Sequence, residues 1–331
     1  MAATSFSAAV APLVTLAQRC VEAPAGPQCV EAALASPVAA SGAIALGLGV
    51  LCYVLSCITK NDSWVDRTWS IVPPAHIWFY VWFTGDAVVA KNAAGSWVPT
   101  VYGGFAFAST VWGIRLTYNF FRRGGYQSGG EDYRWEHVRA WPVWKNRLLW
   151  HLFSFWFISV FQQWLLWAIT LPVLAAKPNQ AASGVELAVM LAYLGFIAFE
   201  ATADQQQCNF QNEKRKQRPQ RPHLALDYKV GFLTHGLFAR SRHPNVWAEQ
   251  QIWLSLYAVS ILSYGAVNWF GLGVLALVLL TVRSCMLTEQ LSAAKYPQYR
   301  AFKRHVPMLV PGIMVHRKKL DEELAVTKKD K

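Results

Sequence analysis

Five stretches of this chain set ionisable and amide side chains beside long apolar runs, where a charge is costly and usually tied to function. In DRTWSIVPP (66–74), Asp66 and Arg67 stand at the mouth of an apolar segment, as an interfacial ion pair anchored by Trp69 would. RLTYNFFRRGGYQSGGEDYRWEHVR (115–139) holds two glycine pairs, which imply unusual backbone geometry or close approach to a ligand. Arg122, Arg123 and Arg134 are of the type that holds phosphate, or, for the first two, that fixes topology at a membrane surface. FEATADQQQCNFQNEKRKQR (199–218) sets Glu200 and Asp204 at i and i+4 on one helix face, continued by Gln207, Gln211 and Asn212. Such a face suits a ribose or an amide-bearing ligand, and interhelical hydrogen bonds would use the same groups.

GLFARSRHPNVWAEQQIW (236–253) is the densest signal, with Arg240, Arg242, His243, Asn245 and Glu249. His243-Pro244 reads as a turn into a helix with Pro near the first position. The helix N-terminus and two arginines then form an anion site, with Glu249 pointing inward. RSCMLTEQLSAAKYPQYRAFKRHVP (283–307), where Glu289 precedes Tyr296 by two turns, reads as an amphipathic interfacial helix.

The elements that must position these groups are of membrane type. Of 331 residues, 54% are hydrophobic and only 15% charged, against about a quarter charged in soluble domains. Mean hydropathy is +0.21. That composition excludes disorder, collagen-like repeats and a small disulfide-stapled scaffold. Seven apolar segments predict spans at about 41–59, 69–84, 98–117, 150–175, 185–205, 246–262 and 264–283. The last two, split only by Ser263 and Tyr264, read either as a tight hairpin or as two crossings. Of 31 Lys and Arg, 28 fall on one side of this arrangement and three (Arg19, Lys91, Lys177) on the other. This is the positive-inside pattern, which puts the C-terminus in the cytosol and the N-terminus in the lumen or outside. It also accounts for the net charge of +12 without a nucleic-acid partner.

The Ala-rich first 40 residues lack the basic and apolar pattern of a cleaved signal peptide. Cys20 and Cys29, on the lumenal side, are either a disulfide or two free thiols. Cys52, Cys57 and Cys285 read as small apolar residues. No zinc-ligand spacing occurs, so no metal is expected. Gly47-Leu48-Gly49 reads as close helix packing, not a nucleotide loop. The terminal KKDK is either a dilysine retrieval address of the endoplasmic reticulum or a solvated charged end.

GLFARSRHPNVWAEQQIW, a further span, and LTEQLSAAKYPQYRAFKRHVP together resemble the C-terminal domain of the steroid 5-alpha reductase family. RLTYNFFRRGG with GGEDYRW resembles an uncharacterised, domain-of-unknown-function branch of that group. The resemblance covers roughly residues 60–311. It implies a cytosol-facing pocket in a helical bundle, NADPH held by the C-terminal half, and hydride delivery to an enone-type C=C of a lipid or sterol. Carried over, Asp204 matches the cofactor-contacting aspartate, Asn245 and Glu249 the Asn…Glu pair after the GLF motif, and Arg115 the arginine of the third span. Asp66, seven residues before Pro73, stands where the reductases carry a substrate-facing glutamate.

One departure concerns mechanism. Three residues before Arg115 the reductases place a tyrosine that hydrogen-bonds the substrate carbonyl; here the residue is Trp112. An indole N–H donates a hydrogen bond but gives no proton. Either Trp112 only orients substrate, or Tyr118 or Tyr133 acts instead, or the chemistry is not enone reduction. SRHPN and the later Glu–KYP–Y–VP segment also resemble the isoprenylcysteine carboxyl methyltransferases, which bind S-adenosylmethionine and usually carry paired glutamates where this chain has Glu289-Gln290. A membrane protein without activity is the third class. Charge separates the first two: NADPH needs fixed cations, here Arg122, Arg123, Lys214, Arg215, Arg240 and Arg242, whereas a sulfonium prefers carboxylates and aromatic faces.

The combined expectation is an all-α polytopic bundle with a variable segment at 1–40, a membrane-embedded reductase-like domain at 41–311 and a basic tail at 312–331. Arg122, Arg123, Arg240 and Arg242 would hold the phosphates of NADPH, with His243 a further cofactor-binding residue. Asp204, Asn245 and Glu249 would position ribose and nicotinamide. Trp112 and Arg115 would face substrate, and Asp66 and Tyr133 are the acid or substrate-orienting candidates.

Overall fold

The computed structural model describes residues 11, 14, 15, 17–21, 26–216, 221–312 and 317–325; the KKDK end lies outside them. The protein is predominantly helical. In order the helices are α1 (Pro27–Leu34), α2 (Pro37–Thr59), α3 (Trp64–Thr68), α4 (Val72–Thr84), α5 (Val101–Arg122), α6 (Tyr133–Arg139), α7 (Arg147–Ala175), α8 (Gly184–Arg215), α9 (Ala225–Val230), α10 (Pro244–Tyr264), α11 (Gly271–Lys295), α12 (Tyr299–His305) and α13 (Arg317–Ala325). The chain divides into two compact units, Met1–Tyr193 with Trp253–Leu277, and Leu194–Ile252 with Val278–Lys331.

Among the described residues, four helices are long and apolar enough to cross a membrane: α2, α7, α8 and α11. Seven spans were expected, and the other three apolar segments are helices of a different kind. α4 has only 13 residues, about 20 Å of helix, short of a bilayer core. α5 and α10 have the length, at 22 and 21 residues, but polar residues interrupt them, from Ser109 to Asn119 in one and from Asn245 to Gln251 in the other.

The sequence specifies these helices locally. Ser36 caps α2 by accepting from the Ala39 N–H at 3.1 Å, with Pro37 in the first turn. α2 ends where Lys60 turns left-handed (φ 54°). Its buried stripe is of small residues, Ala39, Ala45, Gly49 and Cys52 among them. A Cβ on Gly49 would lie 2.9 Å from the Val160 Cα of α7, so this glycine is the close approach that the sequence implies; Gly47 has open space around it. α7 contains a π-helical stretch, Ser154–Phe161, a distortion often found near functional sites.

The all-α expectation needs one correction. Residues 85–100 form an antiparallel hairpin, β1 (Val89–Lys91) with β2 (Trp97–Pro99). Asn92 Oδ1 builds its turn by accepting from the Ala94 and Ser96 N–H groups, both at 3.0 Å. The core of the first unit is aromatic: Phe105, Trp112, Trp167, Tyr193 and Trp253 are each at most 1% exposed. Cys20 and Cys29 form a disulfide.

Candidate functional site

In the second unit, the GLF motif opens the site. Gly236 is left-handed (φ 65°), and a side chain there would run into Gln206 of α8. Gln206 Oε1 also accepts from the Leu237 N–H at 2.9 Å. The next turn is tied down by main-chain bonds, Arg242 N–H to Pro307 O at 2.9 Å and His243 N–H to Met308 O at 3.0 Å. Pro244 then starts α10, as expected.

α10 brings Asn245 to α8. The Asn245 Nδ2 donates to Asp204 Oδ1 at 3.2 Å, and Asp204 is 3% exposed. Glu200, one turn before Asp204 on α8, is buried as well, and Glu249 is one turn after Asn245 on α10. The result is a carboxylate–amide face built from two helices.

Arg242 does something other than expected. Its Nε and Nη2 donate to Glu289 Oε1 and Oε2 at 2.5 and 3.1 Å, and its Nη1 donates to the Lys303 and Val306 carbonyls. His243 Nε2 lies 3.2 Å from Glu289 Oε1, and Lys303 Nζ 3.1 Å from Oε2. Glu289 is 2% exposed, so this is an internal charge hub. Arg242 and His243 thus face a carboxylate already in the protein, and Arg242, expected to face a phosphate, is engaged by Glu289 instead. Arg240 is exposed.

A further buried acid, Asp227, carries no pattern in the sequence that would have flagged it. It is fully buried and accepts from the Thr234 N–H at 3.0 Å, the Thr234 hydroxyl at 2.5 Å and His235 Nδ1 at 2.8 Å. Arg317 Nη2 lies 3.0 Å from His235 Nε2.

In the first unit, the two N-terminal clusters come together. Arg67 donates to the carbonyls of Gly125 (3.2 Å), Gln127 (3.3 Å) and Gly130 (3.1 Å), so the glycine-rich loop is stapled by an arginine of α3. Asp66 accepts from Trp135 Nε1 at 3.1 Å. Burial pushes its carboxyl above the ordinary range, against the opposing charge of Arg134. Arg134 itself pairs with Asp132 through Nε (2.8 Å) and Nη2 (2.9 Å), so it is not open to phosphate. Burial raises the Asp132 carboxyl too, but the Arg134 hydrogen bonds outweigh it and the net shift is downward.

The remaining candidates scatter. Tyr133 is half exposed and packs its ring edge on His137. Arg122 bonds Asn119 Oδ1 at 2.9 Å and lies over the Tyr118 ring; Arg123 follows it at the end of α5. Arg115 is partly buried on the same helix. Trp112, expected to face substrate, is fully buried, edge-to-face with Trp253 at 5.0 Å, and so packs the core of the first unit. A group the sequence reading missed is Asp62–Glu131–Arg139: Arg139 Nη2 bonds Asp62 at 2.7 Å and Glu131 at 2.8 Å. Among the described residues no His, Cys, Asp and Glu cluster could hold a metal.

Residues 52–306 match the family described as protein of unknown function (DUF1295). The chain belongs to the DUF1295 family. Among its relatives is an uncharacterised protein of Schizosaccharomyces pombe, 35% identical over 277 residues, which span 80% of this chain and 77% of that one. No solved structure matches. The DUF1295 region takes in α3 to α12, and hence every candidate residue named above.

Proposed function

We propose that this DUF1295 protein is a membrane-bound, NADPH-dependent reductase of a C=C bond in a sterol or other lipid. One observation carries the reading. Asp204 and Asn245, matched separately to cofactor contacts by the resemblance to steroid 5-alpha reductases, are 41 residues apart and hydrogen-bonded to each other. Bound NADPH would supply a hydride. The residues present fit it in part: Asp204, Asn245 and Glu249 offer acceptors and an amide to ribose and nicotinamide, and exposed Arg240 is available to a phosphate. In the first unit, Asp66 is the acid candidate, because a carboxyl with a raised pKa keeps its proton nearer neutrality. The 28-to-3 split of cations supports a cytosolic C-terminal side of the membrane.

A second reading, an S-adenosylmethionine-dependent lipid or prenylcysteine methyltransferase, gains from the Arg242–Glu289 pair. With Arg242 engaged, the carboxylates Glu200, Asp204 and Glu249 dominate the polar face, which suits a sulfonium cation. Thermal unfolding in mild detergent separates the two, since a ligand that binds only the folded state stabilises it by mass action. A rise with NADPH but not with S-adenosylmethionine supports the reductase. The reverse result overturns it. No rise with either favours a protein without catalysis.

A further inference from the structure

A cavity of about 310 Å³ lies beside the C-terminal end of α2, between that helix end and the glycine-rich loop. Its charged walls are Lys60, Arg67 and Glu131. Pockets that enclose drug-sized molecules run from roughly 300 to 1,000 Å³, so this one takes a headgroup and not a sterol nucleus. α2 is long and apolar enough to cross a membrane, which puts its end at a membrane–water boundary. Trp64 lines the cavity with its ring beneath the Arg67 guanidinium, 4.7 Å away, as suits such a boundary.

The charge left over in the cavity is positive. Glu131 is taken by Arg139 through two nitrogens and by the Asp62 N–H at 2.8 Å. Among the described residues Arg67 donates only to neutral carbonyls and pairs with no carboxylate. Lys60 is exposed, with no acidic partner among the described residues, and it also lines a second cavity of about 250 Å³ next door. On the loop side, Ser128 and Gly129 line the cavity, and among the described residues their N–H groups make no hydrogen bond. Two adjacent main-chain donors and a mobile ammonium are an anion-binding set. The Arg67 staple fixes the loop in advance, which lowers the ordering cost of binding.

We propose that Lys60, Arg67 and the Ser128–Gly129 turn form a phosphate-binding site for the headgroup of an anionic amphiphile. The site is independent of the reductase reading and would serve a methyltransferase or a non-catalytic protein equally.

The test is thermal unfolding of the full-length protein in mild detergent, titrated with dioleoyl phosphatidic acid, dioleoylglycerol or inorganic phosphate. Phosphatidic acid is expected to raise Tm and dioleoylglycerol to leave it unchanged. Lys60→Asn keeps a residue that tolerates the left-handed backbone and is expected to weaken the response to phosphatidic acid roughly tenfold, the worth of one charge-assisted hydrogen bond. Lys60→Arg keeps the cation and is expected to keep the response. A Lys60-dependent rise with inorganic phosphate as well supports the site with a soluble phosphate as a further source; a rise with phosphatidic acid alone assigns it to lipid. No rise with either phosphate compound, an equal rise with dioleoylglycerol, or an unchanged response in Lys60→Asn overturns the proposal. None of these readouts involves NADPH, so failure here is distinct from failure of the reductase reading.

Discussion

Arg242 and Glu289, 47 residues apart in sequence, meet through two parallel hydrogen bonds, Nε to Oε1 at 2.5 Å and Nη2 to Oε2 at 3.1 Å. The pair ties the turn before α10 to α11, and both side chains are less than a tenth exposed. Removing one partner of a buried pair leaves the other charge uncompensated, at a cost of about 3–5 kcal/mol. Glu289→Ala is therefore expected to lose that much stability, with Arg242, His243 and Lys303 all losing their acceptor. Urea unfolding in detergent checks it; a loss under about 1 kcal/mol, the range of exposed pairs, would mean that water already screens the hub.

The same pair separates two arginines that look alike in sequence. Arg240 is exposed, and among the described residues its side chain has no ion-pair partner for an Ala replacement to strand. On the reductase reading, Arg240→Ala weakens NADPH binding roughly tenfold, as expected for one charge-assisted hydrogen bond, with Tm unchanged in the absence of ligand. Arg242→Ala instead lowers Tm without ligand. Isothermal titration alongside thermal unfolding tests both, and equal NADPH affinity in Arg240→Ala and wild type would remove Arg240 from the site.

Much of this arrangement is legible in the sequence, and the limits are physical. Apolar runs reveal α2, α7, α8 and α11 because burial in lipid demands an almost unbroken stretch. They misjudge α4, α5 and α10, where packing against protein tolerates shorter or more polar helices. Spacing places Glu200 and Asp204 on one face, because i and i+4 is a local relation. It cannot reveal that Arg242 meets Glu289, since an arginine beside a helix start serves an anionic ligand or a distant carboxylate equally well. The glycine pairs signal a special loop, while the Arg67 staple that holds it comes from 58 to 63 residues away.

That loop yields a local test. A Cβ on Gly130 would lie 2.7 Å from the Gly124 carbonyl oxygen, a main-chain atom held within the turn. Gly184 has nothing within 4 Å of such a Cβ. Gly130→Ala is expected to cost about 1–3 kcal/mol through overpacking, and Gly184→Ala little. Equal unfolding midpoints for the two variants would mean that the turn shifts freely and is no fixed wall.

Asp66 gives the loop a pH signature. Burial holds its carboxyl above the ordinary value of 3.8, so the folded state binds the proton more tightly than the unfolded chain. Stability from this group is full below pH about 3.8 and falls as pH rises through the higher folded value. At neutral pH the charged form is a burden, which Trp135 Nε1 and Arg134 relieve only in part. Asp66→Asn keeps an oxygen for the indole N–H and carries no charge. It is expected to raise Tm at pH 7 and to flatten the fall in Tm between pH 4 and pH 7. If the variant is less stable at pH 7 with the wild-type slope intact, the Asp66 charge is stabilising, and its candidacy as a proton donor falls with that result.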